Sequence, residues 1–206
     1  MLTASEFSTR EPLPLHRVQE AIFEFCRVRA DVVIFGAQAV NVYVSTPRMT
    51  QGVDLLCSRP REQADALAKA LGDRFRIAMR VREVIPGKGF RVYQLRREGN
   101  RHFADVRLAD FPLDDAVELG GIRYVSLPTL VALKLRALSR RRLAPKGATE
   151  LADLRRLLLA HPELRSEAGP VAASIERTGG GDEVVRAWRE LLAEPMVADE
   201  SEDQGY

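Results

Sequence analysis

At 206 residues and 46% hydrophobic content, the chain has length and apolar material for one domain, or one domain with a helical appendage. No stretch approaches the roughly 20 apolar residues that cross a bilayer, and Glu6, Arg10 and Glu11 stand where an export signal would be apolar. These features exclude a membrane-spanning or exported protein and predict a cytoplasmic location. The net charge of +2 hides an asymmetry, because residues 194 to 206 hold five acids and no base. The body is therefore the basic part, which fits either a polyanionic partner or an arginine-rich surface that binds nothing. The two cysteines, Cys26 and Cys57, have neither metal nor disulfide spacing and read as buried thiols.

In chain order, residues 1 to 12 read as a loose lead-in and Pro14 to Arg29 as a helix with Leu15, Val18, Ile22 and Cys26 on one face. Val32 to Phe35 is a short buried strand that ends at a turn on Gly36. Ala37 to Tyr43 gives one or two helical turns, whose free N–H groups face the space beyond Gly36 and form a place for an anion. Ser45, Thr46 and Pro47 break the chain, Arg48 and Thr50 follow, and Val53 to Cys57 is a strand carrying Asp54.

Arg61 to Leu71 reads as a helix stopped by Gly72-Asp73. Phe75 to Val84 and Phe90 to Arg97 alternate as strands around the turn Pro86-Gly87-Lys88-Gly89. Arg80, Arg82, Arg91, Arg96, Arg97 and Arg101 decorate this hairpin, either as a solvated face or edge kept soluble by charge, or as a strip for RNA phosphates. His102 to Leu108 is a strand with Asp105 in its apolar middle. A buried acid needs a metal or a cationic partner, and nearby arginines supply the second choice.

Ile122 to Ser126 is extended, and Leu127-Pro128 opens a helix. On that helix Lys134 interrupts the stripe of Leu130, Val131, Leu135 and Leu138, so its ammonium must snorkel or meet an anion. Arg141 lies on the same side, within a basic cluster with Arg140 and Arg142. Thr149 caps a helix from Glu150 to Ala160, and residues 163 to 177 form another with Gly169-Pro170 near its start or interrupting it. Gly179-Gly180-Gly181 is a joint and, with no flanking strand or lysine, no phosphate loop. Asp182 to Ala193 is amphipathic, read as a packing helix or as one that docks a partner.

The order of strand, glycine turn, short helix and acidic strand resembles the core of the nucleotidyltransferase (DNA polymerase beta-like) fold. The chain is similar to the AbiEii-like toxin branch of that superfamily, known mostly from bacterial toxin-antitoxin and abortive-infection systems. That branch carries a Gly-Gly or Gly-Ser turn followed by Arg-x-Thr-x-Asp-hydrophobic-Asp; Gly36-Ala37 stands for the turn, and Arg48, Thr50 and Asp54 match the second motif. The departure is Gly52, where the branch has its first metal-binding aspartate. Gly147 likewise replaces an aspartate after Lys146, while Asp153 matches a later one.

The resemblance covers roughly residues 14 to 160 and implies an α+β fold with a small mixed sheet flanked by helices and a C-terminal helical part. It divides the chain into a nucleotidyltransferase-like domain over 1 to 160, a helical extension over 161 to 193 and an acidic disordered tail over 194 to 206. It also implies Mg²⁺, or Mn²⁺, at Asp54 and Asp105, with Asp105 as metal ligand or base and Lys134 approaching the triphosphate. Gly36, Ala37, Arg48, Thr50, Arg141 and Lys146 would hold a nucleoside triphosphate. The implied reaction moves a nucleotide to an acceptor hydroxyl, such as a tRNA 3′ end, and a cognate antitoxin would be a partner.

Gly52 opposes that activity. Two carboxylates two residues apart on a strand share one side and hold bridging metal ions. Losing a several-kcal/mol effect in such a clamp slows a reaction on the order of a thousandfold. The alternatives are a degenerate member that binds nucleotide or RNA without turnover, and an inactivated variant of an active toxin.

Overall fold

The computed structural model describes residues 13 to 197. They form two compact units, one of residues up to 39 with 48–126 and the other of residues 40–47 with those from 127 onward. The sequence places the boundary near 160; in the structure, residues 127 to 160 instead share a core with the helices that follow. The expected lead-in over 1–12 and most of the acidic tail lie outside the described residues. Of the tail's acids, Glu194 is described, and its Oε2 accepts a bond from Arg155 Nη2 at 2.7 Å.

The first unit contains helix α1 (Leu15–Arg27), strand β1 (Val33–Phe35), the start of α2 (Gly36–Tyr43), β2 (Val53–Cys57), α3 (Pro60–Phe75), β3 (Met79–Ile85), β4 (Gly89–Gln94), β5 (Arg101–Leu108), β6 (Val117–Leu119) and β7 (Ile122–Tyr124). The strands make one mixed sheet in the order β3-β4-β5-β2-β1-β7-β6. β2 runs parallel to β5 and β1 parallel to β7, and the other neighbours are antiparallel. Alternation decides which face is buried. Ile34, Leu55, Val92, Ala104 and Val106 are all fully buried, and α3 packs on β2, β3, β4 and β5. The residues that alternate with these on β4, β5 and β2 include Arg91, Asp105 and Asp54.

Three local expectations change. α3 does not stop at Gly72-Asp73 but runs to Phe75 and ends on Arg76 in the left-handed conformation (φ 55°), so β3 begins at Met79 rather than at Phe75. A helical turn that still buries Leu71 outweighs the weak propensity of one glycine. β6 was not legible in the sequence. It pairs with β7 across Gly120-Gly121, both with positive φ (59° and 76°), the two-residue turn that matches strand twist.

The second unit contains the end of α2, α4 (Leu127–Arg141), α5 (Pro145–Ala160), a 3₁₀ turn (Pro162–Leu164), α6 (Pro170–Arg177) and α7 (Asp182–Ala193). α5 starts at Pro145, with proline in its first turn, and not at a Thr149 cap. Gly147 is buried in that first turn, where a Cβ would stand 2.1 Å from the backbone oxygen of Arg141, so no larger residue fits. The span 163–177 divides at Gly169, which precedes the first helical turn of α6. Val184, Ala187, Trp188 and Leu191 of α7 are buried, and the helix packs on α4 and α6, so its apolar face is spent in this unit's own core.

Both cysteines are buried, as expected. Burial pushes the Cys26 thiol up to about 12 and the Cys57 thiol up to about 11. With a reference near 8.5, the unfolded thiols ionise first as pH rises. Their contribution is complete below about pH 8.5 and declines above it toward the folded values. A disulfide reagent at pH 8 is expected to find no reactive thiol in the folded chain and two after urea unfolding; rapid labelling of the folded protein would contradict this burial.

Candidate functional site

The site forms where β1, β2, β4 and β5 lie side by side. Asp54 of β2 is in register with Asp105 of β5 on one side and with Phe35 of β1 on the other. Opposed residues on neighbouring strands leave the sheet on the same face, so the two carboxylates are set next to each other. Gly36 follows Phe35 with φ +70°, a conformation that suits glycine, and a Cβ there would stand 2.3 Å from Asp54 Oδ2. The glycine turn and the first acid therefore touch.

Arginines surround these carboxylates. Arg91 of β4 forks onto Asp105, with Nε donating to Oδ1 at 2.9 Å and Nη2 to Oδ2 at 3.1 Å. Arg107 Nη2 lies 3.8 Å from Asp54 Oδ1 and 3.8 Å from Asp105 Oδ2, and its guanidinium sits 5.5 Å from the Phe35 ring centre. His102 Nε2 is 3.4 Å from Asp105 Oδ1, with an alignment too poor for a hydrogen bond. Burial raises the Asp105 carboxyl, but the contacts from His102 and Arg91 outweigh it and hold the group well below the usual carboxylate range.

A bulge explains how His102 reaches this face. Val92 opposes Ala104, but Tyr93 opposes His102, so Phe103 is an extra residue in β5. The re-aimed imidazole fills the room beside Gly52. A Cβ at Gly52 would stand 2.9 Å from His102 Cε1 and 3.2 Å from Nδ1. The space in which an aspartate at 52 would begin is occupied by the histidine.

These residues can be tested against the Mg²⁺ pair that the resemblance implies. Magnesium needs near-octahedral oxygen coordination at about 2.1 Å. Here one carboxylate is forked by a guanidinium, a second guanidinium bridges toward both, and position 52, where the resemblance implies an acid, is glycine. Among the described residues no group of three or more His, Cys, Asp or Glu side chains could hold a metal ion. The donor set does not fit a two-metal site.

The remaining sequence-predicted residues are placed as follows. Ala37 lies in the first turn of α2. Thr50 Oγ1 donates to the Gly52 carbonyl at 3.3 Å, while the Thr50 carbonyl accepts from Gln19 Nε2 at 2.8 Å. Arg48 Nη1 donates to the Met49 carbonyl at 3.4 Å. Lys134, Arg141 and Lys146 belong to the second unit. Lys134 Nζ is buried between Glu150 Oε2 and Asp153 Oδ2, each at 2.7 Å, so the anions it meets are the protein's own. Arg141 and Lys146 are exposed. In the sequence Arg91 belongs to a decorated hairpin, and no local signal gives Arg107, His102 or Glu150 a role. The spacing Asp105-x-Arg107 puts both on one strand face, but only register brings Arg91 and His102 to them.

No protein-family model matches the sequence, and no curated protein matches it. Solved structures do match in three dimensions. The polyadenylate synthase of Megavirus superposes with a TM-score of 0.58 at 13% identity, over 71% of this chain and 31% of that one. JHP933 from Helicobacter pylori gives 0.51 at 12% identity, over 93% of this chain and 94% of that one. An antigenic nucleotidyltransferase-like protein from Paracoccidioides brasiliensis is more distant, at 0.42 and 15% identity over 91% and 94%. The chain thus spans about a third of the viral enzyme and nearly the whole of JHP933. Its fold is that of the nucleotidyltransferases, a mixed sheet flanked by helices with a helical C-terminal part. No helix among the described residues is long and apolar enough to cross a membrane.

Proposed function

We propose that this chain binds a nucleoside triphosphate in the Gly36, Asp54 and Asp105 region and does not transfer it. The observation that supports this reading is the engagement of the two carboxylates: Arg91 forks onto Asp105 and Arg107 stands 3.8 Å from both acids, with Gly52 contributing no third. On this reading the protein is a degenerate relative of the AbiEii-like branch, with a nucleotide as ligand and a cognate antitoxin or an RNA as the partner it serves. A second reading, metal-dependent nucleotidyl transfer to an acceptor such as a tRNA 3′ end, draws on the in-register placement of Asp54 and Asp105 beside Gly36.

The test mixes each α-labelled nucleoside triphosphate with total tRNA, Mg²⁺ or Mn²⁺, and this chain. Non-covalent retention of labelled nucleotide on the protein, with no covalent label in RNA or protein, is the expected result. Covalent label in an acceptor would establish the second reading instead.

A further inference from the structure

We infer that the nucleotide's phosphates are held without a divalent cation, by an arginine row that stands where the cation would be; this rests on the binding reading above. The row is fixed by register. Arg82 of β3 opposes Arg91 of β4, Arg91 opposes Asp105 of β5, and Asp105 opposes Asp54 of β2. All four side chains leave the same face of the sheet, with Arg107 beside the two acids.

Like charges directly opposite on neighbouring strands are unfavourable. Asp105 neutralises Arg91, but Arg82 is exposed and makes no ion pair among the described residues. The fork onto Asp105 uses Nε and Nη2 of Arg91, which leaves Nη1 for a ligand. Three guanidinium groups against two carboxylates give this row a surplus of positive charge. A metal clamp has the opposite balance, because its carboxylates must be offset by the ions they hold. Planar guanidinium donors suit phosphate oxygens directly, so a polyphosphate can bridge Arg82, Arg91 and Arg107 as metal-free anion.

His102 completes the exchange. It takes the room of the absent acidic side chain at 52 and adds a contact to Asp105. Restoring a carboxylate at 52 alone therefore places its Cβ against the imidazole. A metal site would need both positions changed and the guanidinium groups of Arg91 and Arg107 taken off the acids.

The experiment measures ATP binding to the full chain by calorimetry, once in excess EDTA and once in excess Mg²⁺. Binding in EDTA at least as tight as in Mg²⁺ is the expected result. Arg82→Glu, a surface change whose fold is checked by circular dichroism, is expected to weaken ATP in EDTA by roughly tenfold or more. Inorganic tripolyphosphate is expected to displace ATP, since the row reads phosphate. Mn²⁺ titration followed by electron paramagnetic resonance is expected to show none bound to the natural chain, and binding by a variant that combines Gly52→Asp and His102→Ala with Arg91→Ala and Arg107→Ala, its fold checked by circular dichroism. ATP binding only with Mg²⁺, or equal Mn²⁺ binding by both proteins, overturns the inference while the binding reading stands. No ATP binding in either buffer overturns the binding reading, and the inference with it.

Discussion

Lys134→Ala is expected to lower stability by about 3–5 kcal/mol. Lys134 interrupts an otherwise apolar stripe on α4, and its side chain is only 6% exposed. Its ammonium is held 2.7 Å from Glu150 and 2.7 Å from Asp153, two acids three residues apart on α5. Asp153 is fully buried, and Arg156, whose half-exposed guanidinium lies 3.9 Å from it, is screened by solvent and offsets only part of the lost cation. The damage comes from the charges left behind more than from the missing methylenes, so Lys134→Met, which keeps most of the stem, is expected to fall nearly as far. For a chain of this size that loss corresponds to a melting temperature about 10 °C lower. Urea unfolding of both variants checks it. A change below about 1 kcal/mol would mean that Glu150 and Asp153 do not depend on Lys134, and would return this lysine to the phosphate role that the resemblance implies.

Gly36→Ala is expected to damage both stability and the site. A left-handed conformation costs a residue with a Cβ about 1–2 kcal/mol. At φ +70° that Cβ also lies 2.3 Å from Asp54 Oδ2 and 3.1 Å from Asp54 Cβ, so either the acid or the start of α2 must move. A total loss of about 2 kcal/mol or more follows, with loss of ATP binding. The two positions are in contact, so their effects should not add. Gly36→Ala/Asp54→Ala is expected to recover part of the stability lost by Gly36→Ala, as seen in urea midpoints. Strict additivity would show that the clash with Asp54 is not what the glycine avoids.

Together these two substitutions separate the roles of residues that the resemblance groups together. Gly36, Asp54 and Asp105 form one contact set within the first unit. Lys134 is neutralised inside the second. A Cβ at Gly147, where the resemblance implies an aspartate, would stand 2.1 Å from the Arg141 backbone oxygen, so local packing alone excludes a side chain there. Gly52 differs, because the two nearest atoms a Cβ there would meet belong to the His102 side chain and the backbone, at Phe103 O, stands off at 3.5 Å. The first glycine is held by backbone geometry, and the second is coupled to one neighbour.

Much of the fold was legible along the chain because it depends on local pattern. Val32 to Phe35 followed by Gly36, and Val53 to Cys57 carrying Asp54, have the β-branched runs and the glycine break that a strand and a turn require. The stripe on α4 exposed Lys134 as an exception, and the apolar middle of β5 marked Asp105 as an acid in need of a cation. Periodicity carries this information because side-chain direction follows from position in a helix or strand.

The identity of that cation depends on which strands are neighbours and in what register, and neither is written in local sequence. Arg91 lies 14 residues from Asp105, and Asp54 lies 51 residues from it, yet one cross-strand row joins all three. His102 was hidden further, because an extra residue in β5 reverses the side it would be assigned by alternation. The sequence by itself determined the order of most elements, the glycine turn, the two acids and the glycine at 52. Tertiary structure decided that guanidinium groups and an imidazole fill the space around those acids, because long-range pairing sets every distance between charges brought from separate strands.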